Sequence, residues 1–294
     1  MTQKKGVLKR KVVEGPKSKT KKDYEYKSLN DPVREAAFIA AEAHIYKLNK
    51  EGKSDEPIIL QLSTLAPTAK TKEYTRRMIV LPNRLRTVKN TSILLVTKDP
   101  VDTYRITLND KDAVTTDTFA DIVGYKKFKT KVGTSKAALK TYHEYDMIIT
   151  DNRLHTLLPK LLQPTIFCKG SQKFPLMLQM ATQSADAQLV RSKKTGNWKD
   201  ERVEPEYVLS QVKSWCRNTT FVPSTGPSMS IVVGYPNMSG VQIVENIDAV
   251  ISFLTQREFR PIGGLVHEGL KGIVDLHLHA NDKTLPVMKQ GESL

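Results

Sequence analysis

Apolar residues recur at two different spacings along the chain, and this predicts two kinds of structural unit. The first unit begins at Asn30, a helix-capping residue followed by Pro32 in the first turn. Alanine, valine and isoleucine then recur at helical spacing until Gly52. Two short apolar segments, 58–62 and 78–81, are typical of strands. The first 90 residues therefore predict a helix followed by two strands.

The middle of the chain has a different pattern. The segments 92–97 and 147–150 are continuously apolar, and each is followed by a segment with helical spacing, at 100–108 and 153–162. Strands that are apolar on both sides are typical of a parallel sheet with helices on both faces. This part of the chain therefore predicts a small α/β unit.

After Gly170 the first pattern returns. The segments 205–216 and 241–254 predict amphipathic helices, and 273–279 alternates apolar and polar residues as a half-buried antiparallel strand does. We therefore predict α/β and α+β structure together, as a discontinuous α+β domain (28–89 and 175–294) with a Rossmann-like α/β domain (90–174) inserted in it. The connections near 87–90 and 169–174 would form a hinge.

The N-terminal segment, residues 1–27, has ten Lys or Arg residues against three acidic residues and few apolar ones. Such a composition cannot offset the entropy cost of ordering, so we predict a disordered basic tail. Two interpretations remain open for it. In the first, the tail neutralises phosphates or serves as a nuclear localisation signal. In the second, it only increases solubility.

The charge of the whole chain extends this picture. The formal net charge is +15, which favours a polyanionic partner such as nucleic acid. No run of about 18 apolar residues is present, so we predict no membrane span. The basic N-terminus lacks the apolar part of a signal peptide, and the two cysteines, Cys168 and Cys216, have no metal-site spacing. These features favour a reducing compartment.

The sequence gives little support for a catalytic, metal-binding or cofactor site. Asp275, His277 and His279 alternate along one predicted strand, which favours an outward sheet surface over a metal site, because further ligands are missing. Thr97 and Asp151 follow the apolar strands, where α/β sheets bind ligands, but the chain has no Gly-rich phosphate loop. Neither cysteine has a nucleophile signature, and Cys216 is better explained as a small buried helix residue. We therefore predict no catalytic residues, no metal site and no cofactor.

Basic residues form patches that favour an RNA backbone. Arg76 and Arg77 precede the strand 78–81, and Arg84 and Arg86 follow it. Further clusters occur at 126–131 and around 169–199. Lysine and arginine on phosphates provide affinity without sequence information.

Six segments in this order resemble the ribosomal protein L1 superfamily over about residues 30–290. They are 78–86 (M-I-V-L-P-N-R-L-R), 93–98 (I-L-L-V-T-K), 120–124 (A-D-I-V-G), 145–150 (Y-D-M-I-I-T), 233–234 (V-G) and 245–247 (E-N-I). The resemblance implies two domains joined by a hinge, with RNA held mainly by the discontinuous domain. It implies neither a cofactor nor catalysis.

The chain departs from the family pattern at positions that would face RNA. Arg84 and Arg86 stand where the family has glycines, and Lys53 begins a segment that keeps the family's Lys, Asp and Glu. Lys283 begins K-T-L-P where the family has T-M-G-P, so a close backbone approach to RNA is lost. Charge and family position together predict these RNA-binding residues: Lys53, Arg76, Arg77, Arg84, Arg86 and Lys283.

Three further segments, 94–100, 151–159 and 216–223, resemble a nucleolar branch of the superfamily. This resemblance implies a non-enzymatic ribosome-assembly factor of the nucleus and nucleolus, monomeric within a large assembly. Its partners would be pre-ribosomal RNA, the U3 small nucleolar ribonucleoprotein and other proteins of the early small-subunit precursor particle. Two alternatives remain: a structural protein of the large ribosomal subunit, and a nucleotide-dependent enzyme using the inserted domain.

Overall fold

A computed structural model describes residues 24–65, 67, 69, 74–163, 165–169, 173–184, 189–191, 198–256, 258–259, 267–268 and 273–289. The α-helices of these residues are α1 (Asp31–Lys50), α2 (Asp102–Leu108), α3 (Tyr125–Val132), α4 (Ser135–Glu144), α5 (Leu158–Leu162), α6 (Ile166–Lys169), α7 (Pro205–Arg217) and α8 (Gly240–Thr255). The strands are β1 (Ile58–Thr64), β2 (Arg77–Ile79), β3 (Ile93–Thr97), β4 (Asp121–Gly124), β5 (Met147–Asp151), β6 (Leu176–Leu178), β7 (Val190–Arg191), β8 (Trp198–Lys199), β9 (Thr219–Phe221), β10 (Ser228–Gly234), β11 (Glu258–Phe259), β12 (His267–Glu268), β13 (Ile273–Ala280) and β14 (Lys283–Met288). The fold is therefore mixed α and β, as predicted.

The first sheet is antiparallel and has the strand order β10-β1-β13-β14. Side chains alternate along β1, with Ile58, Leu60 and Leu62 buried and the residues between them half-buried. Helices α1 and α8 cover the buried face, and their apolar side chains share one core with it. Asn30 caps α1, and Ser239 caps α8 in a capping box, so both helix ends are fixed locally.

The opposite face of this sheet holds the histidines of β13. His277 and His279 are half-buried, and the His279 imidazole hydrogen-bonds the Thr284 hydroxyl at 2.9 Å. The described residues include no group of three or more His, Cys, Asp or Glu side chains that could hold a metal ion. No helix of the described residues is both long enough and apolar enough to cross a membrane.

The second sheet is parallel and has the order β4-β3-β5-β6. All five residues of β3 are buried, because apolar side chains cover both faces of the sheet. Phe128 of α3, Leu158 of α5 and Phe167 of α6 pack on one face. Tyr104 of α2 and Val208 of α7 pack on the other. The prediction of a parallel sheet covered on both faces is confirmed.

The parallel unit extends beyond the predicted boundary at residue 174. Strand β6 pairs Leu176, Met177 and Leu178 with the end of β5. Helix α7, placed by the sequence in the other domain, buries Val212 and Cys216 against the parallel sheet. A domain division at residue 174 would therefore cut through one packed unit.

Residues 24–27, which the sequence placed in a disordered tail, pack against α8. The carboxylate of Asp248 accepts the Tyr24 hydroxyl at 2.9 Å and main-chain N–H groups of Lys27, Ser28 and Leu29. Burial and the bond to Asp248 raise the pKa of Tyr24. Residues 1–23, the rest of the predicted tail, lie outside the described residues.

The predicted helix 153–162 is wrong in its first half. A 3-10 turn covers Asn152–Leu154, and the α-helix begins only at Leu158, just before Pro159. Proline fits the first turn of a helix but not its interior, so the helix starts at this position. The predicted strand 78–81 is also displaced, because β2 ends at Ile79 and Val80 is exposed.

Candidate nucleic-acid interface

The turn that follows β2, residues 82–86, is held in place by side-chain amides. Asn218 accepts the N–H of Leu81 at 3.1 Å, and Asn246 accepts the N–H of Asn83 at 3.1 Å. The Asn246 amide also donates to the carbonyl of Val233 at 2.9 Å, and its side chain is fully buried. Because these amides bond to the main chain of the turn segment and of β10, they fix the turn on the sheet and on α8.

The second half of the turn pairs with the end of α7. The N–H of Leu85 donates to the carbonyl of Arg217 at 3.0 Å, and the N–H of Arg86 donates to the carbonyl of Cys216 at 3.1 Å. The alternating exposure of the turn follows from this pairing: Leu85 is buried, whereas Arg84 is exposed. The hydrogen bonds therefore direct one arginine of the turn toward solvent.

Three arginines surround a polar groove of about 710 Å³. Arg84 and Arg217 are exposed, and no carboxylate of the described residues pairs with either. Arg86 is more enclosed: its guanidinium lies 4.5 Å from the Tyr235 ring centre and 3.6 Å from the Asp146 carboxylate. Asn83, Asn237 and Gln242 add amide groups to the wall. The groove, defined by Arg84, Arg86 and Arg217, therefore combines positive charge with hydrogen-bond donors.

Lys53 and Lys283 lie at one end of the antiparallel sheet. The Lys53 ammonium is 3.0 Å from the Glu51 carboxylate, which also accepts the Asn281 amide at 3.2 Å. The bond from Lys53 lowers the pKa of Glu51. Asn281 is in the turn between β13 and β14, next to exposed Lys283. Ser54 and Asp55 line the groove, and Lys53 directly precedes them in the chain.

Arg76 is half-buried and Arg77 is buried, so neither of these predicted RNA-binding residues is an exposed cation of the groove. Arg77 is 6% exposed in β2. The Arg76 guanidinium donates to the carbonyl of Phe174 at 3.1 Å and to the Thr220 hydroxyl. Burial lowers the pKa of Arg76 to about 10. The Arg76 side chain therefore joins the segment before β2 to β9 and to the segment before β6.

Sequence reasoning missed Arg217 and the amides of the groove. Arg217 is the last residue of α7, so its position next to Arg84 depends on how α7 meets the turn. A basic residue at the end of a predicted amphipathic helix was the only available signal. Cys216 is buried as predicted, and burial raises its pKa to about 11, so the thiol is poorly suited to nucleophilic chemistry.

The arrangement of these groups suits phosphate and sugar oxygens. Exposed guanidinium groups bind phosphates through paired hydrogen bonds, and amides donate to or accept from sugar hydroxyls and base edges. The turn that carries Arg84 and Arg86 is fixed before any ligand arrives, so little entropy is lost on binding.

A comparison with protein-family models decides the family. The model of the Ribosomal protein L1p/L10e family matches residues 19–281. The chain belongs to this family. The match covers the parallel sheet, strands β1, β10 and β13 of the antiparallel sheet, and the turn 82–86. The groove is therefore formed entirely by residues within the family region.

Two proteins similar to this chain have names that refer to ribosome biogenesis. This chain is 32% identical over 247 residues to ribosome biogenesis protein UTP30 of Saccharomyces cerevisiae. The match covers 83% of this chain and 85% of the yeast protein. The chain is 22% identical over 231 residues to a putative ribosome biogenesis protein of Schizosaccharomyces pombe. That match covers 79% of this chain and 53% of the Schizosaccharomyces pombe protein, so this chain spans about half the length of that protein.

Proposed function

We propose that this protein is a non-enzymatic RNA-binding factor of ribosome assembly. The observation that carries the proposal is the groove, where Arg84 and Arg86, on a turn fixed by buried amides, line one polar surface with Arg217 at the end of α7. A net charge of +15 and membership of a ribosomal protein family support a ribonucleic acid as the ligand. Lys53 and Lys283 would extend the phosphate contacts beyond the groove.

The proposed setting is the nucleus and nucleolus, within the early small-subunit precursor particle. The partners would be pre-ribosomal RNA, the U3 small nucleolar ribonucleoprotein and neighbouring assembly proteins. Likeness to a yeast ribosome biogenesis protein along most of both chains supports this setting. Arg84 and Arg86 replace family glycines, which favours an assembly factor over a structural protein of the large subunit.

We also propose a two-domain organisation, with an inserted Rossmann-like α/β domain within a discontinuous RNA-binding domain. The four-stranded parallel sheet with helices on both faces supports the inserted domain. Its end moves from residue 174 to at least Leu178, because β6 completes the sheet. The N-terminal boundary near residue 90 coincides with the 3-10 turn Val88–Asn90.

A pair of charge-reversal variants tests the groove. The double variant Arg84→Glu/Arg217→Glu changes two exposed groove cations, and the control Lys136→Glu/Lys140→Glu makes the same charge change on exposed residues of α4. Binding of a pre-ribosomal RNA fragment is measured between low and high salt. If each arginine neutralises one phosphate, the log–log salt slope falls by about 0.9 per arginine for a duplex. Equal affinity and equal slopes for the two double variants would reject the groove as the RNA site.

A further inference from the structure

A second cavity, of about 380 Å³, lies between the two sheets. Arg76, Ser230 and Tyr235 line it from the antiparallel unit, and Tyr142, Lys173 and Trp215 line it from the parallel unit with α7. We call it the cleft. Its volume is within the range of about 300–1,000 Å³ that is typical of ligand sites. Arg86, Tyr235 and Asp146 line both the cleft and the groove, so the two spaces adjoin.

Two cations of the cleft bind only neutral groups. Arg76 donates to the Phe174 carbonyl and the Thr220 hydroxyl, and its Nε is buried without a hydrogen-bond partner. The Lys173 ammonium donates to the carbonyls of Tyr142 and Tyr145 at 2.8 and 3.1 Å. No carboxylate of the described residues forms an ion pair with either side chain. Burial lowers the pKa of both groups. Asp146 acts on Lys173 through its charge, but the enclosed Arg76 guanidinium has no counter-ion among the described residues. A buried charge without a counter-ion is costly, so the position of Arg76 favours an anionic ligand.

Three carboxylates also line the cleft, those of Asp55, Glu56 and Asp146. Asp146 accepts the N–H of Ser92 at 3.0 Å and lies beside Arg86. Asp55 is exposed and also lines the groove, and Glu56 is half-buried beside it in the chain. Asp146 also acts on Lys173 through its charge, whereas no carboxylate acts on Arg76, so an anion would bind nearest Arg76.

Aromatic rings form the remaining wall. The Lys173 ammonium lies 4.6 Å from the Tyr142 ring centre, and the Arg86 guanidinium covers Tyr235. Trp215 is half-buried on α7 and also lines the cleft. Aromatic side chains stack on unpaired bases, and each such contact contributes about 1–3 kcal/mol in proteins that bind single strands.

We propose that the cleft binds one unpaired nucleotide of the RNA held in the groove. Its phosphate would lie beside Arg76 and Lys173, and its base would stack on the aromatic wall. The inference rests on the proposed function and extends it, because it gives the protein a means to select RNA with an extruded nucleotide. Sequence-specific RNA recognition generally uses unpaired bases in this way.

Blocking the cleft with a large side chain tests the proposal. Ser230 lines the cleft and is exposed on β10, so Ser230→Phe fills it without disturbing the core. Ser228→Phe is the matched control, two residues earlier on the same strand, exposed, and outside the cleft lining. In a Trp198→Phe background, Trp215 is the only tryptophan. Uridine 5′-monophosphate should quench its fluorescence saturably, with an apparent Kd at least about tenfold weaker in Ser230→Phe than in Ser228→Phe. No saturable quenching, or equal quenching in both variants, overturns the proposal.

Two RNA hairpins then distinguish a nucleotide within RNA from a free nucleotide. They share one stem, which carries a single unpaired uridine in one hairpin and is fully paired in the other. The protein should bind the first about tenfold more tightly, and Ser230→Phe should remove this preference. Equal binding of both hairpins would overturn recognition within RNA. The groove proposal is tested separately, by binding of the fully paired hairpin and by the Arg84 and Arg217 variants.

Discussion

Asn246 in the middle of α8 accepts the main-chain N–H of Asn83 at 3.1 Å, joining the helix to the arginine turn. The same amide donates to the Val233 carbonyl on β10, so one buried side chain bonds to the turn and to the sheet. The Asn83 amide in turn donates to the Gln242 carbonyl at 3.3 Å. The position of Arg84 therefore depends on residues more than 150 positions away in the chain.

Replacing Asn246 with alanine should destabilise the whole protein. The change leaves the Asn83 N–H and the Val233 carbonyl buried without their partner, and each such group costs about 1–3 kcal/mol. Urea unfolding should therefore show a free energy of unfolding lower by about 2–5 kcal/mol. Asn237→Ala, at an exposed groove position, is the control. A loss of less than about 0.5 kcal/mol for Asn246→Ala would show that these bonds do not hold the turn.

The carboxylate of Asp248 should determine whether residues 24–29 stay on α8. Asp248→Asn removes the charge and puts an amide donor where N–H groups of Lys27, Ser28 and Leu29 now point. Hydrogen exchange at these three amides should accelerate by at least about tenfold, corresponding to about 1.4 kcal/mol. Asp31→Asn, at an exposed carboxylate, should leave these exchange rates unchanged. Unchanged protection in Asp248→Asn would contradict the anchoring role.

His44 should make the protein less stable in mild acid. Burial lowers the pKa of His44, and nearby Lys283 and His279 act in the same direction. As the pH falls below about 6.5, the ordinary histidine value, the unfolded chain takes up the proton first, so stability decreases. The loss has a maximum slope of about 1.4 kcal/mol per pH unit.

The measurement is the free energy of unfolding from pH 7.5 to 5 in the wild type and in two variants. His44→Gln keeps an amide donor near the Leu278 carbonyl, which the imidazole Nε2 contacts at 3.0 Å, but cannot titrate. Its pH slope should be smaller than that of the wild type. His143→Gln, at an exposed position, should keep the wild-type slope. Parallel slopes for all three proteins would contradict a titrating core histidine.

Reversing the charge of Arg77 should damage the fold rather than an RNA contact. The side chain is 6% exposed, and glutamate there would place an uncompensated negative charge in the interior. Unfolding experiments should show a loss of about 3 kcal/mol or more. Lys213→Glu, on an exposed position of α7, should change stability by less than about 0.5 kcal/mol. A stable Arg77→Glu variant with weakened RNA binding would contradict this prediction and support an RNA contact by Arg77.

Elements with a strong apolar period were predictable from the sequence. The spacing in α8 and the alternation of β1 both follow from burial of one face, and the continuous apolar run of β3 follows from burial of both. Strand β14 was missed because Pro286 weakens a strand prediction, although proline is tolerated on an edge strand. Helix α4 was missed because only Ala138 and Thr141 are buried in it.

The site was only partly predictable, because charge alone does not show which way a side chain points. Arg77 begins a strand of three residues and Arg76 precedes it, and so short a strand does not let alternation separate inward from outward positions. Tertiary pairing with β9 decides that Arg77 is buried. Arg217 reaches the groove only because α7 ends where the turn 82–86 passes, a contact between segments about 130 residues apart.

Crosslinking of the tagged protein to cellular RNA, followed by sequencing of the attached fragments, tests whether the protein binds pre-ribosomal RNA through the groove. We expect fragments concentrated in the small-subunit precursor RNA and the U3 RNA, and their strong depletion in Arg84→Glu/Arg217→Glu but not in Lys136→Glu/Lys140→Glu. Fragments confined to mature large-subunit RNA, or no attached RNA at all, would contradict it.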